Sequence, residues 1–425
     1  MSTESGTAVV RARRRRGGIV SRAGWNLADQ ALSSLTNAAL SILIARSVDA
    51  NAFGAFAVCF TVYSLVLGVV RTGISEPVAV RFSDAPAAEF RSAQRSALAA
   101  SALFGMAVGI VLLVLEPIQS GQLRGPIVAL ALTLPGLMVQ DALRLSFITE
   151  GRPQAATLND FVWGVLQLGA AALLLWTDTP TATLFVAAWG AAAGVAALDG
   201  MVRSRLTPSF GNAVHWLRTH FDLSRYFVAE YLAVMGAFQI AILVVGTIGG
   251  VDDVGALRGA QVLLGPLNIL MFGIVSFSIP ELVRRKREPV RRLVLYSLGL
   301  SGVLFFGTLV WSGLILALPE SVGRQLLGDA WDGARAVLPA MAVTMAGVGA
   351  GIGAACMLRA LGAVRETFRQ SILLAPLLLV FGVVGVWKGG AAGAALGFAI
   401  AQWIPVPLWW VRMVRTTRRA ERERA

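Results

Sequence analysis

The chain has 425 residues, with 37 lysines and arginines against 24 acidic residues and a formal net charge of +13. Charged residues make up only 14% and hydrophobic ones 56%, where soluble domains carry about a quarter charged residues, and mean hydropathy is +0.69. These figures argue against a soluble enzyme, rule out disorder, and make the number of membrane crossings the first question.

Residues 1–24 form a basic tail whose densest cluster is Arg11, Arg13, Arg14, Arg15 and Arg16. The polar stretch 25–36 follows it, so it does not read as a cleavable signal peptide with a short apolar core. No basic face on a soluble module is visible, which excludes a nucleic-acid partner. Short basic clusters between apolar runs are the pattern of cytoplasmic membrane loops, with anionic lipid headgroups as partners.

A transmembrane helix needs about 20 apolar residues. Twelve candidate spans follow in chain order, at roughly 25–45, 53–75, 97–115, 126–148, 157–176, 181–202, 227–248, 257–280, 293–318, 335–358, 368–387 and 390–412. The longest interruption, 203–226, contains Trp216, Leu217, Arg218, Phe221 and Leu223, and reads as an amphipathic interfacial helix. The predicted fold is an all-α polytopic membrane protein, with about twelve helices in two pseudo-symmetric six-helix bundles around a central cavity. Its parts are the tail 1–24, the bundle 25–202, the cytoplasmic linker 203–226, the bundle 227–412 and a C-terminal tail 413–425.

With the N-terminus placed in the cytoplasm, the segments left outside hold only Arg46, Arg124, Arg258, Arg324, Arg335 and Lys388. Arg71 and Arg144 fall within spans, and all other basic residues lie inside. This fits the positive-inside rule and predicts two cytoplasmic termini and a multi-pass membrane protein. The halves also echo each other. Gly54-Ala55 precedes Pro77 and Arg81 as Gly255-Ala256 precedes Pro280 and Arg284, and Leu134-Pro135 matches Leu338-Pro339 at an offset of 204. Parallel repeats are a transporter architecture with the site between the halves.

Charges inside a bilayer are costly, so each marks a cavity or a partner. The candidates are Asp29, Arg71, Asp141, Arg144, Asp160 and Glu230. On the first helix Asn26, Gln30, Ser33, Asn37 and Ser41 form a polar face beside Asp29, opposite Leu27, Ala31 and Leu35; it lines either a cavity or an interhelical contact. The second helix repeats this with Thr61, Ser64, Gly68, Arg71 and Ser75. The Arg71 fork suits a diphosphate, or else it serves a structural salt bridge. Asp141 and Arg144, at i and i+3, either neutralise each other or leave Arg144 for substrate. Asp160 reads as solvated near the cytoplasmic end. Asp29 is the better candidate for ion coupling, since a carboxylate in an apolar wall can exchange protons; Glu230 matches it one repeat later, near the cytoplasmic mouth, where it either shares that role or is merely solvated. There is no phosphate-binding glycine loop and no metal-ligand cluster, so no catalytic residue, cofactor or metal is expected.

The stretch from Asn37 to Ala57, in which an apolar helix ends in Ala45-Arg46 and a short turn leads to Phe53-Gly54, resembles the opening of the bacterial polysaccharide flippases. The resemblance covers about residues 20–412, with the two halves, the linker and the Leu358–Arg365 segment. It places the chain beside the multidrug/oligosaccharidyl-lipid/polysaccharide exporter superfamily. It implies alternating access that flips a polyprenyl-diphosphate-linked oligosaccharide for surface polysaccharide biosynthesis, with glycan-assembly proteins as possible partners. Arg71, Arg144, Asn37 and Ser64 would contact substrate, while Asp29, Glu230 and Asp141 would couple an ion. One departure is that the C-terminal half offers no clear in-membrane arginine. The alternatives are a proton- or sodium-coupled small-molecule exporter of the same fold, or a membrane glycosyltransferase or polymerase, for which the outer loops are short.

Overall fold

The computed structural model describes residues 24–25, 28–82, 85–118, 121–285 and 287–423. The basic tail before Gly24, Asn26 and Leu27 of the first helix, Lys286 and Arg424 lie outside the described residues. The described chain is all helical. The helices are α1 (28–45), α2 (Ala50–Phe82), α3 (Ala87–Leu115), α4 (Arg124–Thr149), α5 (Pro153–Trp176), α6 (Ala182–Ser204), α7 (Phe210–Tyr231), α8 (Ala237–Gly249), α9 (Val251–Leu263), α10 (Gly265–Arg285), α11 (Val290–Leu316), α12 (Glu320–Leu327), α13 (Trp331–Ala360), α14 (Val364–Trp403) and α15 (Val406–Arg422).

Helix starts follow local chemistry. Asp49 caps α2 by accepting from the Ala52 amide at 2.8 Å, and Thr181 caps α6 by accepting from Leu184 at 3.2 Å. Two helices are interrupted by π turns, Arg71–Ser75 within α2 and Leu232–Gly236 between α7 and α8; such turns free backbone groups and cluster at functional sites. Within α14, Gly389 and Gly390 leave helical geometry, Gly390 with φ +54. Past that turn the chain folds back: Gly385 lies against Gly393 and Gly397 against Phe381, backbone to backbone, so the two arms of α14 run antiparallel. Only glycine permits that approach.

Among the described residues, eight helices are long and apolar enough to cross a membrane, or nine if α9 and the first part of α10, bent by 53°, form one span. The expected twelve is not reached by this measure. The differences fall where α1 carries its polar stripe, where α8 is only 13 residues of apolar helix after the polar α7, and where α14 and α15 run on through a hairpin.

Two bundles result. In the first, α4 packs on α3 and α6, and α6 on α5; in the second, α13 packs on α9, α11 and α14, and α14 on α8. Helices in lipid gain little from burying apolar surface against one another, so packing and hydrogen bonds must hold them. The first bundle supplies this with an aromatic knot, in which Trp189 of α6 meets Phe56, Phe60 and Tyr63 of α2 and Trp163 of α5. The second uses glycines, for example Gly353 of α13 against the Ser297 carbonyl of α11.

The bundles meet along α2, which packs against α8 and α9. At one end the contact is backbone on backbone: Gly54 against Val251, Gly255 against Gly54, and Gly328 against Ala45. At the other, α7 crosses the π turn of α2. There the Ser224 hydroxyl donates to the Gly73 carbonyl at 2.6 Å and Arg81 pairs with Asp222 at 2.5 Å. Desolvation pushes the Asp222 carboxyl up, but the Arg81 and backbone hydrogen bonds outweigh it and hold the carboxyl below its usual range. The Tyr231 ring fills the notch left by Gly68 and its hydroxyl donates to the Ser64 carbonyl at 3.1 Å.

Candidate functional site

Five ionisable residues from four helices converge inside the first bundle. Asp29 stands on α1, Arg71 on the π turn of α2, Asp141 and Arg144 on α4, and Asp160 on α5. Arg71 grips Asp141 with both edges of its fork, Nε to Oδ2 at 2.8 Å and Nη2 to Oδ1. Arg144 reaches Asp29, with Nε at 2.8 Å and Nη2 at 2.5 Å from Oδ2, and its Nε lies 3.1 Å from Asp160 Oδ2. Gln140 donates to Asp160 Oδ1 at 2.9 Å and to Asn159 at 3.1 Å, and Asn159 donates to the Ala196 carbonyl of α6 at 2.7 Å. The network therefore ties α1, α2, α4, α5 and α6 together.

The cluster is largely buried and unbalanced. Asp29, Asp141, Arg144 and Asp160 are at most 7% exposed, while the Arg71 side chain keeps 34% exposure. Three carboxylates face two guanidiniums, so with all five ionised one negative charge is in excess. Asp29 Oδ1 and Asp160 Oδ2 have no hydrogen-bond partner although both are buried. For Asp160 Oδ2 the approach of Arg144 is close but poorly aligned, so it counts as an ion pair and not as a hydrogen bond. Buried unpaired carboxylate oxygens are costly, and a proton or cation relieves that cost.

Three expectations change. Asp160 is not solvated but belongs to the buried network. Asp141 and Arg144 do not chiefly neutralise each other: their i,i+3 contact is 3.7 Å, and each has a nearer partner elsewhere. Glu230 is exposed on the last turn of α7 and makes no ion pair or hydrogen bond with the network among the described residues; Glu76 is an electrostatic neighbour. Of the polar candidates, Ser64 bonds its own helix at the Phe60 carbonyl, 2.8 Å away, and Asn37 keeps a buried Oδ1 without a hydrogen-bond partner.

A further cation lies between the bundles. Arg258, which the charge pattern had assigned to an outer segment, sits within α9. Its guanidinium lies 3.6 Å over the Phe60 ring of α2, and its Nη2 donates to Ser41 Oγ of α1 at 3.0 Å. Its Nε is buried without a hydrogen-bond partner, and no described carboxylate pairs with it. A cation resting on an aromatic face in place of a carboxylate keeps its charge uncompensated. Phe60, under the Arg258 guanidinium, and Arg71 are eleven residues apart, about three turns, so these two positions lie on the same face of α2 with about 16 Å of helix between them. The second bundle thus does contribute an interior arginine.

No family model and no curated protein sequence matches the chain. Solved structures do. An inward-facing multidrug resistance MATE family transporter of the MOP superfamily matches with a TM-score of 0.69 and 14% identity, over 91% of this chain and 96% of that one. The lipid II flippase MurJ in an inward closed conformation matches with a TM-score of 0.72 and 11% identity, over 92% and 87%. An outward-facing MATE transporter of the same superfamily matches at 0.60 and 14% identity, over 95% and 96%. The chain shares its fold with these MATE and MurJ structures.

Proposed function

We propose that the protein flips a polyprenyl-diphosphate-linked oligosaccharide across the bacterial cytoplasmic membrane by alternating access. The observation that carries this reading is the pair of interior arginines supplied by different bundles onto one face of α2: Arg71, paired but a third exposed, and Arg258, without an anionic partner. A guanidinium fork suits a diphosphate, which the two sites would engage one at a time given their separation along α2, whereas a cationic drug would be repelled by both. The likeness to a lipid II flippase supports the same class of cargo. The higher score against the inward-facing MATE transporter, 0.69, than against the outward-facing one, 0.60, supports reading the end closed by Gly54 and Gly255 as the outer one.

The surplus carboxylate of the Asp29–Asp141–Asp160 set would take up a proton or sodium ion and couple its movement to the cycle. Reconstituted vesicles carrying a fluorescent polyprenyl-diphosphate oligosaccharide, scored by loss of quencher access, test the reading. Transbilayer movement that depends on Arg258 is expected. Vesicles that expel a cationic dye but leave the lipid in its leaflet would replace it with the small-molecule exporter reading.

A further inference from the structure

Outside the bundle interface, a cleft of about 450 Å³ opens at the junction of α3, α6 and α7, lined by Arg91, Ser92, Arg95, Arg205, Ser209 and Asn212. Three guanidiniums and three neutral polar side chains meet there with no carboxylate in the lining. None of the three arginines forms an ion pair among the described residues. Two are fixed by backbone: Arg91 Nη2 donates to the Ser204 carbonyl at 2.8 Å, and Arg95 donates from Nε to the Thr207 carbonyl and from Nη2 to Thr207 Oγ1, each at 3.0 Å. These bonds position the forks and leave other N–H donors on each. Arg205 bonds no protein group among the described residues, and it occupies a left-handed backbone position, φ 54, that suits glycine or asparagine better. The long cation is held at a position that its backbone does not favour.

The surroundings are apolar. Leu198 and Val202, 61% and 77% exposed, run along the last turns of α6 towards Arg205, and Phe210 and Val214, 56% and 52% exposed, begin α7. An arginine cluster beside outward-facing apolar stripes, at the end of a membrane helix, combines a phosphate receptor with a surface for acyl chains. A free anion would make no use of the stripes.

We infer that this cleft binds the phosphodiester headgroup of an anionic phospholipid from the adjoining leaflet, with the acyl chains along Leu198 and Val202. The site is separate from the proposed transport pathway and does not depend on what is transported.

The full-length protein is reconstituted in nanodiscs of phosphatidylcholine doped with phosphatidylglycerol, and lipids retained after transfer to detergent are counted by native mass spectrometry. The wild type is expected to keep phosphatidylglycerol over phosphatidylcholine by about tenfold or more, the scale of one charge-assisted contact. Arg205→Asn removes the charge and fits the left-handed backbone, and Asn212→Asp places a negative charge in the cleft while every arginine stays in place. Each should abolish the preference at an unchanged melting temperature. If Arg205→Asn unfolds, Asn212→Asp alone decides. Equal retention of both lipids by the wild type, or an unaltered preference in Asn212→Asp, overturns the proposal. So does displacement of the lipid by millimolar inorganic phosphate, which would make this a free-anion site.

Discussion

Gly54 and Gly255, one repeat apart in the chain, touch each other in the fold. A methyl group on Gly255 would sit 3.0 Å from the Gly54 Cα and 3.1 Å from its amide nitrogen. Equivalent residues of two repeats meet only where the pseudo-symmetry axis passes, as equivalent residues do at an isologous contact. Here the axis emerges at the end of the molecule where α2 and α9 begin, and the Gly54 notch also receives the Val251 carbonyl. The closure is a contact between backbones, which any side chain would break.

Gly255→Leu should therefore act as a wedge. Overpacking of this kind costs about 1–3 kcal/mol, borne by the closed state and not by the open one. Hydrogen–deuterium exchange across 50–56 and 251–257 should rise, and transport should fall while the protein still inserts. Unchanged exchange in both segments would show that this contact does not hold the end shut.

Arg144 is the keystone of the buried network because it alone serves both Asp29 and Asp160. Arg144→Gln leaves two buried carboxylates without a cation, a loss of about 3–5 kcal/mol in comparable buried pairs. The variant should be recovered in poor yield or melt well below wild type. Asp29→Asn combined with Arg144→Gln removes one charge of each sign and should restore part of that loss. A single variant as stable as wild type would mean that water already reaches the cluster.

Asp160→Asn removes the surplus negative charge and keeps the acceptor for Gln140. Stability should be equal to or above wild type, since the remaining Asp29 and Asp141 match Arg71 and Arg144 one to one. If the surplus charge is what takes up a coupling ion, transport by this variant should lose its dependence on an imposed pH or sodium gradient, while downhill movement continues. A full gradient response would move the coupling site elsewhere. Asp29→Asn, run in parallel, separates the two orphaned oxygens.

The membrane class and the candidate charges were legible because intramembrane cost is a local property: Asp29, Arg71, Asp141 and Arg144 stand out in any apolar window. Their partners were not legible. The i,i+3 spacing favours Asp141 for Arg144, yet folding brings in Asp29 from 115 residues away, and spacing carries no information about which helix face meets which. Asp160 was misjudged because depth along a helix depends on a boundary that hydropathy locates only to within several residues. Arg258 was missed for a related reason. Asp252, Asp253 and Arg258 itself dilute the apolar signal of α9, so the window places the start of the span too late. A usable signal was present: the offset that aligns Gly255 with Gly54 aligns Arg258 with Ala57, a fully buried residue of α2.

Arg71 and Arg258 should respond differently to removal. Arg71→Gln deprives Asp141 of its bidentate partner, and Arg144, 3.7 Å away, compensates only in part. A stability loss should therefore accompany any loss of transport. Arg258→Gln gives up a cation–π contact, about 0.5–2 kcal/mol, but it also relieves an uncompensated interior charge, and glutamine can still reach Ser41. The melting temperature should hardly move, so a fall in lipid flipping of tenfold or more would report on cargo and not on folding. Arg258→Lys keeps the charge but loses the planar fork that stacks on Phe60 and grips a phosphate, and it should recover only part of the activity. Full activity in Arg258→Gln, with the protein in the membrane at wild-type level, would remove this residue from the transport pathway and leave the diphosphate reading to the first-bundle arginines.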